Sequence, residues 1–210
     1  MKTELERVAP MDIERRSFEI ITSELPHPID EALAPIIKRV IHTTADFEYA
    51  DTLCFSDGVV EKALAAIQNG ATVVTDTTMA LSGINKRLLA KHGGTVKCFI
   101  ADEDVAAAAK ANGTTRAVEA MKKAASLEGP VRFAIGNAPT ALVQLYEMIS
   151  EQRISPALVI GVPVGFVNVV QAKELIMETD VPYIVARGRK GGSNVAAAIL
   201  NALIYMLGRE

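Results

Sequence analysis

Apolar and polar positions follow two regimes along the chain. From residue 57 onward, short continuous apolar runs alternate with longer stretches whose apolar positions recur every three or four residues. Continuous β-branched runs of this length suit strands buried on both faces, whereas the 3.6 period suits amphipathic helices. The pattern predicts strands over Ala71 to Thr75, Thr95 to Ala101, Val131 to Ile135, Ala157 to Gly161 and Tyr183 to Ala186. Between them it predicts helices over Val59 to Gln68, Met79 to Lys91, Val105 to Asn112, Arg116 to Ser126, Thr140 to Ser150, Asn168 to Glu178 and Ser193 to Leu207. Asn69-Gly70, Gly93-Gly94 and Gly113 supply the stops. The first third is less regular. Ile13 to Leu25 has helical spacing and is ended by Pro26 and Pro28. Asp30 to Ile41 is a second helix whose start falls later if Pro35 sits in its first turn.

Strands alternating with helices imply a five-stranded parallel sheet with helices on both sides, preceded by an N-terminal helical segment. With 210 residues, half of them apolar, and no repeat or linker, one domain over residues 1–210 is expected. The net charge of -3 argues against nucleic acid as the main partner. The only cysteines, Cys54 and Cys98, lie far apart without metal-binding spacing, which suits a reducing compartment. The charged start, Met1 to Asp12, is unlike a signal peptide, and no apolar run spans a bilayer; a soluble cytoplasmic protein is expected.

The unusual polar and glycine-rich sequence gathers just after the strands, where open α/β sheets bind ligands. Arg187-Gly188-Arg189-Lys190-Gly191-Gly192-Ser193 combines three cations, three glycines and a hydroxyl at a helix start, a combination suited to an anion. It matches neither a Walker loop nor a dinucleotide fingerprint. A helix start with solvated charges is the plainer alternative. Asn137-Ala138-Pro139-Thr140 suits a cap or a ligand contact, and Pro139 suits the first helical position. Gly161 to Phe166 is an apolar turn able to wall a flat ligand. Arg116 could grip a carboxylate, though surface arginines are common. Of three histidines, His27 lies between prolines and His92 ends a helix, while His42 follows an apolar helical face, with Thr43, Thr44 and Asp46 close by. A histidine there can exchange protons near neutral pH, although a half-buried structural histidine is more usual. A Ser-His-Asp hydrolase built on Ser17, His42 and Asp46 or Asp76 lacks a G-x-S-x-G elbow.

Taken together, Arg15-Arg16-Ser17-Phe18, Arg39-Val40-Ile41-His42, Ile135 to Leu142, Gly161 to Val167 and Arg187 to Ser193 resemble the precorrin-8X methylmutases, in the family's order and over nearly the whole chain. The run Val40 to Asp46 is similar to the cobalt-carrying branch. The resemblance implies a flavodoxin-like three-layer α/β/α fold, a homodimer, and a reaction of cobalamin biosynthesis that needs no cofactor, any cobalt being carried within the substrate. A methyl group shifts from C-11 to C-12 of the corrinoid ring of (cobalt-)precorrin-8, giving hydrogenobyrinate or cobyrinate. The family's catalytic histidine falls on His42 and its substrate-binding serine on Ser17. Substrate-binding positions are then expected at Arg16, Ser17, Arg116, Asn137, Arg187, Gly191, Gly192 and Ser193. Two rivals remain: a flavin or nucleotide protein, whose phosphate loop should follow the first strand rather than the last, and a tetrapyrrole carrier without a role for His42.

Overall fold

The computed structural model describes residues 5–70 and 72–208. After a 3-10 turn over Pro10–Asp12 come α1 (Ile13–Glu24), α2 (Ala34–Thr44) and the single turn α3 (Tyr49–Thr52). They lead into strand β1 (Leu53–Phe55) and helix α4 (Val59–Gln68). The alternation then runs β2 (Thr72–Thr75), α5 (Thr78–Gly83), α6 (Lys86–Lys91), β3 (Thr95–Lys97), α7 (Glu103–Asn112), α8 (Arg116–Ala124) and β4 (Val131–Ile135). It closes with α9 (Pro139–Ser150), β5 (Leu158–Gly161), α10 (Val169–Met177), β6 (Tyr183–Ala186) and α11 (Ser193–Met206).

The sheet has six strands in the order β1-β6-β5-β4-β2-β3. The five expected strands are parallel to one another; the sixth, β1, pairs antiparallel with β6 at the edge. Three residues are too few to show alternation, so Leu53-Cys54-Phe55 gave no strand signal. Two further expectations need correction. The strand expected over Thr95 to Ala101 ends at Lys97, an edge position with alternating exposure rather than two buried faces. The helix expected over Met79 to Lys91 is two helices. Gly83 lies so near α11 that an added Cβ would sit 2.9 Å from the Ala197 Cβ, and Asn85 then caps α6 by accepting from the Leu88 N–H. Ala71, the expected first residue of β2, and residues 1–4 of the charged N-terminus lie outside the described residues.

Successive strand residues point to opposite faces, and two cores result. Val73, Ala134, Ile160 and Ile184 pack with α2, α4 and α11; Val74, Phe133, Val159 and Val185 pack with α8, α9 and α10. Arg132 stands on the α11 side of β4, paired with Val73 and Leu158. It is 1% exposed, and none of its guanidinium nitrogens has a partner among the described residues. Burial pushes its pKa down to about 10. No helix among the described residues is long and apolar enough to cross a membrane.

Candidate active site

Helices leave the sheet on opposite sides after β2 and β4, so the crevice between these neighbours is where such a sheet ordinarily takes a ligand. Here the crevice is occupied by the protein's own carboxylate. Asp76, 1% exposed, accepts the N–H of Gly136 at 2.9 Å through one oxygen, and those of Asn137 (2.8 Å) and Ala138 (2.7 Å) through the other. Burial pushes its pKa up while the three amides pull the other way, and burial prevails. Beside it, the hydroxyls of Thr77 and Ser193 meet at 2.7 Å. Gly136 has to be glycine, because a Cβ there would come within 2.6 Å of the Ser193 Cα.

The loop from Arg187 to Gly192 is also fixed from inside. Lys173 on α10, 0% exposed, donates from Nζ to the carbonyls of Gly188 and Lys190, both at 2.8 Å. Burial lowers its pKa to about 8. Gly192 donates to the Val162 carbonyl at 2.9 Å, and Gly191 packs so tightly that a Cβ would lie 2.1 Å from that oxygen. The three loop cations have different fates. Lys190 Nζ bridges Asp46 and Glu48, each at 2.6 Å, and holds the Asp46 carboxyl below its usual pKa. Arg187 Nε reaches Glu174 at 3.2 Å. Arg189 has no carboxylate partner among the described residues and lies over the Phe166 ring, 5.5 Å from its centroid. Phe166 and Val167, 81% and 79% exposed, make the turn after β5 an apolar surface facing outward.

His42 lies elsewhere, in the last turn of α2, whose Ala45 terminates the helix with a left-handed φ of 54°. The imidazole is exposed and stacks on Phe18, with ring centroids 5.4 Å apart and planes 15° from parallel. It opens on a cleft of about 590 Å³ lined by Ile13, Glu14, Arg39, Asn85, Arg87 and Tyr205, among others. Arg39 is ion-paired to Glu14 and stacked between Phe18 and Tyr205, 4.7 and 5.2 Å from the two ring centroids. Arg87 has no ion pair among the described residues. The cleft therefore offers apolar lining, one exposed imidazole, the guanidinium of Arg87 and that of Arg39 shared with Glu14, which suits proton exchange with a flat, carboxylate-bearing molecule.

The expected site residues fall into three groups. Ser17 is one helical turn beyond Ile13, on the α1 face that borders the His42 cleft; its hydroxyl donates to the Ile13 carbonyl at 2.9 Å. Arg16 is bound to Glu6 at 2.7 Å. Gly191, Gly192 and Ser193 come together with Arg187 and Arg189 at the glycine-rich loop. Ser193, read from sequence as a helix cap, is instead the first helical residue, with Gly192 at the cap position and the hydroxyl turned to Thr77. Asn137 likewise leaves the cap position to Ala138, while Pro139 opens α9 as expected. Arg116 starts α8 behind the cap Thr115, whose hydroxyl lies 3.1 Å from that of Thr140. No hydrogen bond or ion pair joins His42 to Arg116 or to the loop; the nearest link is Lys190, tied to the turn just after His42. His27 is exposed and bonds Asp51 at 2.7 Å, and His92 closes α6. Sequence reasoning passed over Arg39 and Arg87 as cleft cations, and over Lys173. A lysine at an inward position of an amphipathic helix is a signal, but its partners are backbone carbonyls and carry no sequence mark.

A model of the family described as precorrin-8X methylmutase matches residues 12–206. A cobalt-precorrin-8 methylmutase of Priestia megaterium is 47% identical over 197 residues, 93% of this chain and 88% of the relative. Another, from Salmonella typhimurium, is 47% identical over 208 residues, 94% of this chain and 96% of the relative. Among solved structures, the precorrin-8x methyl mutase from Thermus thermophilus superposes with a TM-score of 0.84 at 43% identity, covering 93% of this chain and 96% of that one.

Proposed function

This chain belongs to the precorrin-8X methylmutase family, the methyl-shifting isomerases of cobalamin biosynthesis, and from that premise we propose that His42 is the proton donor and acceptor of the shift. The observation that carries the reading is the exposed His42 imidazole on an apolar cleft flanked by Arg39 and Arg87. In this reading a methyl group moves from C-11 to C-12 of the bound macrocycle. Protonation by His42 makes the conjugated ring electron-poor and eases migration, and the imidazole takes a proton back as the product forms. Substrate and product are isomers, so the step consumes no external methyl donor or redox partner, and the reading assigns it no cofactor. Two relatives named for cobalt-precorrin-8 favour a substrate that carries cobalt, with cobyrinate as product.

Ser17 holds the reacting region in register. Arg116, Asn137, Arg187, Arg189 and the Gly191 to Ser193 backbone take peripheral carboxylates, with Phe166 and Val167 as an apolar wall. Arg16, engaged by Glu6, contributes at the rim. The His42 cleft and the glycine-rich loop are separate in one chain, and a two-fold homodimer would let one subunit complete the other's site. Five parallel strands in the order β3-β2-β4-β5-β6 fit a flavodoxin-like sheet in one domain, and the protein would work in the cytoplasm.

Incubation with precorrin-8 and cobalt-precorrin-8 in parallel tests the reading. The expected result is a changed absorption spectrum with unchanged mass, faster with the cobalt form. No spectral change with either would overturn the activity, and equal rates would remove the preference for cobalt.

A further inference from the structure

Lys173 stands inside the protein, and its ammonium group donates to two carbonyls of the glycine-rich loop, Gly188 and Lys190, each 2.8 Å away. A trans peptide is planar, with its C=O and the following N–H pointing in opposite directions. Turning the Gly188 and Lys190 carbonyls inward therefore turns the N–H groups of Arg189 and Gly191 away from Lys173. Neither N–H has a hydrogen-bond partner among the described residues, whereas the next one, Gly192, is used by the Val162 carbonyl. Between them, the Arg189 carbonyl is held by the Gly165 N–H at 3.2 Å, which fixes the intervening peptide. The result is two unpaired backbone donors directed away from Lys173, in a loop whose Arg189 has no carboxylate partner among the described residues. Unpaired amide N–H groups directed out of a loop that also carries cations are donors for an anion.

We infer that Lys173 is the positioning residue of the carboxylate site: by drawing two loop carbonyls inward it turns the Arg189 and Gly191 N–H groups outward as donors for the carboxylates of the corrinoid. This rests on the reading of the loop as a substrate-carboxylate site. Lys173 never touches substrate; it acts through the peptide planes. A burial-tolerant apolar side chain would pack in its place without organising the loop, so the lysine serves binding rather than the core. Gly191 is then needed twice, for its close approach to the Val162 carbonyl and for unobstructed access to its N–H.

The test compares Lys173→Met, Lys173→Arg and Arg189→Ala with the parent, using cobyrinate as titrant and cobalt-precorrin-8 as substrate. Two hydrogen bonds to a charged acceptor are at stake, so Lys173→Met should weaken cobyrinate binding about tenfold or more and raise KM similarly. Saturated kcat should stay within about threefold, because the proton exchanger is elsewhere. Lys173→Arg, which can still donate to two carbonyls, should recover part of the affinity; a merely structural lysine would show neither the KM-against-kcat split nor the rescue. If Arg189→Ala weakens binding and a folded Lys173→Met does not, the role of Lys173 is overturned and the loop reading stands. If neither weakens binding, the loop reading itself falls. Amide exchange in the parent gives a measurement independent of whether Lys173→Met folds. Saturating cobyrinate should slow exchange at both Arg189 and Gly191, and binding that protects neither would overturn the inference.

Discussion

At the glycine-rich loop the groups that set the geometry are buried: Lys173 beneath the loop and Asp76 beside it, both almost inaccessible, hold backbone groups in fixed directions. Around His42 the organising groups are more open: an exposed imidazole on a phenyl ring, and a half-buried arginine stacked between two aromatic rings. Both regions offer positive charge to a carboxylate, but by different means. A buried charge on backbone atoms gives a rigid site at a high cost of desolvation. An exposed imidazole keeps its contact with water and stays open to a ligand. In the proposed function binding belongs to the rigid region and proton exchange to the accessible one, a division that substitution can test.

The largest expected effect is on turnover. His42→Ala should lower kcat by about 10²–10⁴, the usual worth of a positioned general acid or base. The melting temperature and cobyrinate affinity should change little, since the ring is exposed and its one aromatic contact is at the surface. A melt that falls along with the rate would make His42 a structural residue and erase the contrast between the regions.

The next largest effect is on stability. Asp76→Ala leaves three amide N–H groups without their acceptor in a buried crevice. At about 1–3 kcal/mol for an unsatisfied buried donor, and without full additivity, a loss of about 2–5 kcal/mol is expected in a denaturant titration. A loss below about 1 kcal/mol would mean that the turn after β4 holds its shape without Asp76. Arg132 sharpens the point from the other side. It is buried without a partner among the described residues, so Arg132→Met should be neutral or stabilising, because it removes a desolvated charge that nothing repays.

The same physical division decides what could be read from the sequence. Continuous apolar runs marked the five parallel strands, four of them with ends as read or one residue away, because burial on both faces leaves a dense signal that only the edge strand β3 lacks. β1 went unseen because three residues at an antiparallel edge carry no periodicity. The break between α5 and α6 was hidden because it arises from Gly83 packing on Ala197, a tertiary contact. At the candidate site, the amphipathic pattern located His42 at a helix end and the clustering of glycine and arginine marked the loop, while the roles given to them came from the resemblance. Which loop cation stays available was not legible: Lys190 goes to Asp46 and Glu48, more than a hundred residues away, and Arg187 goes to Glu174. Backbone partners, as for Asp76 and Lys173, leave no residue-type mark at all.

That sorting of cations gives a graded prediction. Arg189→Ala should weaken cobyrinate binding about five- to tenfold, and Arg187→Ala less, because Arg187 must first give up Glu174. Arg87→Ala, at the His42 cleft, should resemble Arg189→Ala if substrate carboxylates reach both regions. All three effects should shrink as salt is raised, since these guanidinium groups are exposed and screened. An effect at Arg87 but none at Arg189 would move binding to the exposed region and break the proposed division.

Ser17 should show the smallest effect, and it tests how far the chemistry at His42 extends. Its hydroxyl proton is given to the Ile13 carbonyl one turn back, at 2.9 Å. In that state the oxygen has only acceptor capacity left for a ligand, and a neutral hydrogen bond of that kind is worth about 0.5–1.5 kcal/mol. Ser17→Ala should therefore retain activity, with kcat/KM lowered about two- to tenfold. Ile13 and Glu14 line the His42 cleft, and Ser17 continues their face of α1, so the loss should appear in the alignment of substrate rather than in proton transfer. The pH dependence of kcat should then keep the shape it has in the parent, because the imidazole still sets it. A loss comparable to that of His42→Ala, or a displaced pH profile, would place the Ser17 hydroxyl in the proton path and make the exposed region a two-residue relay rather than a lone imidazole.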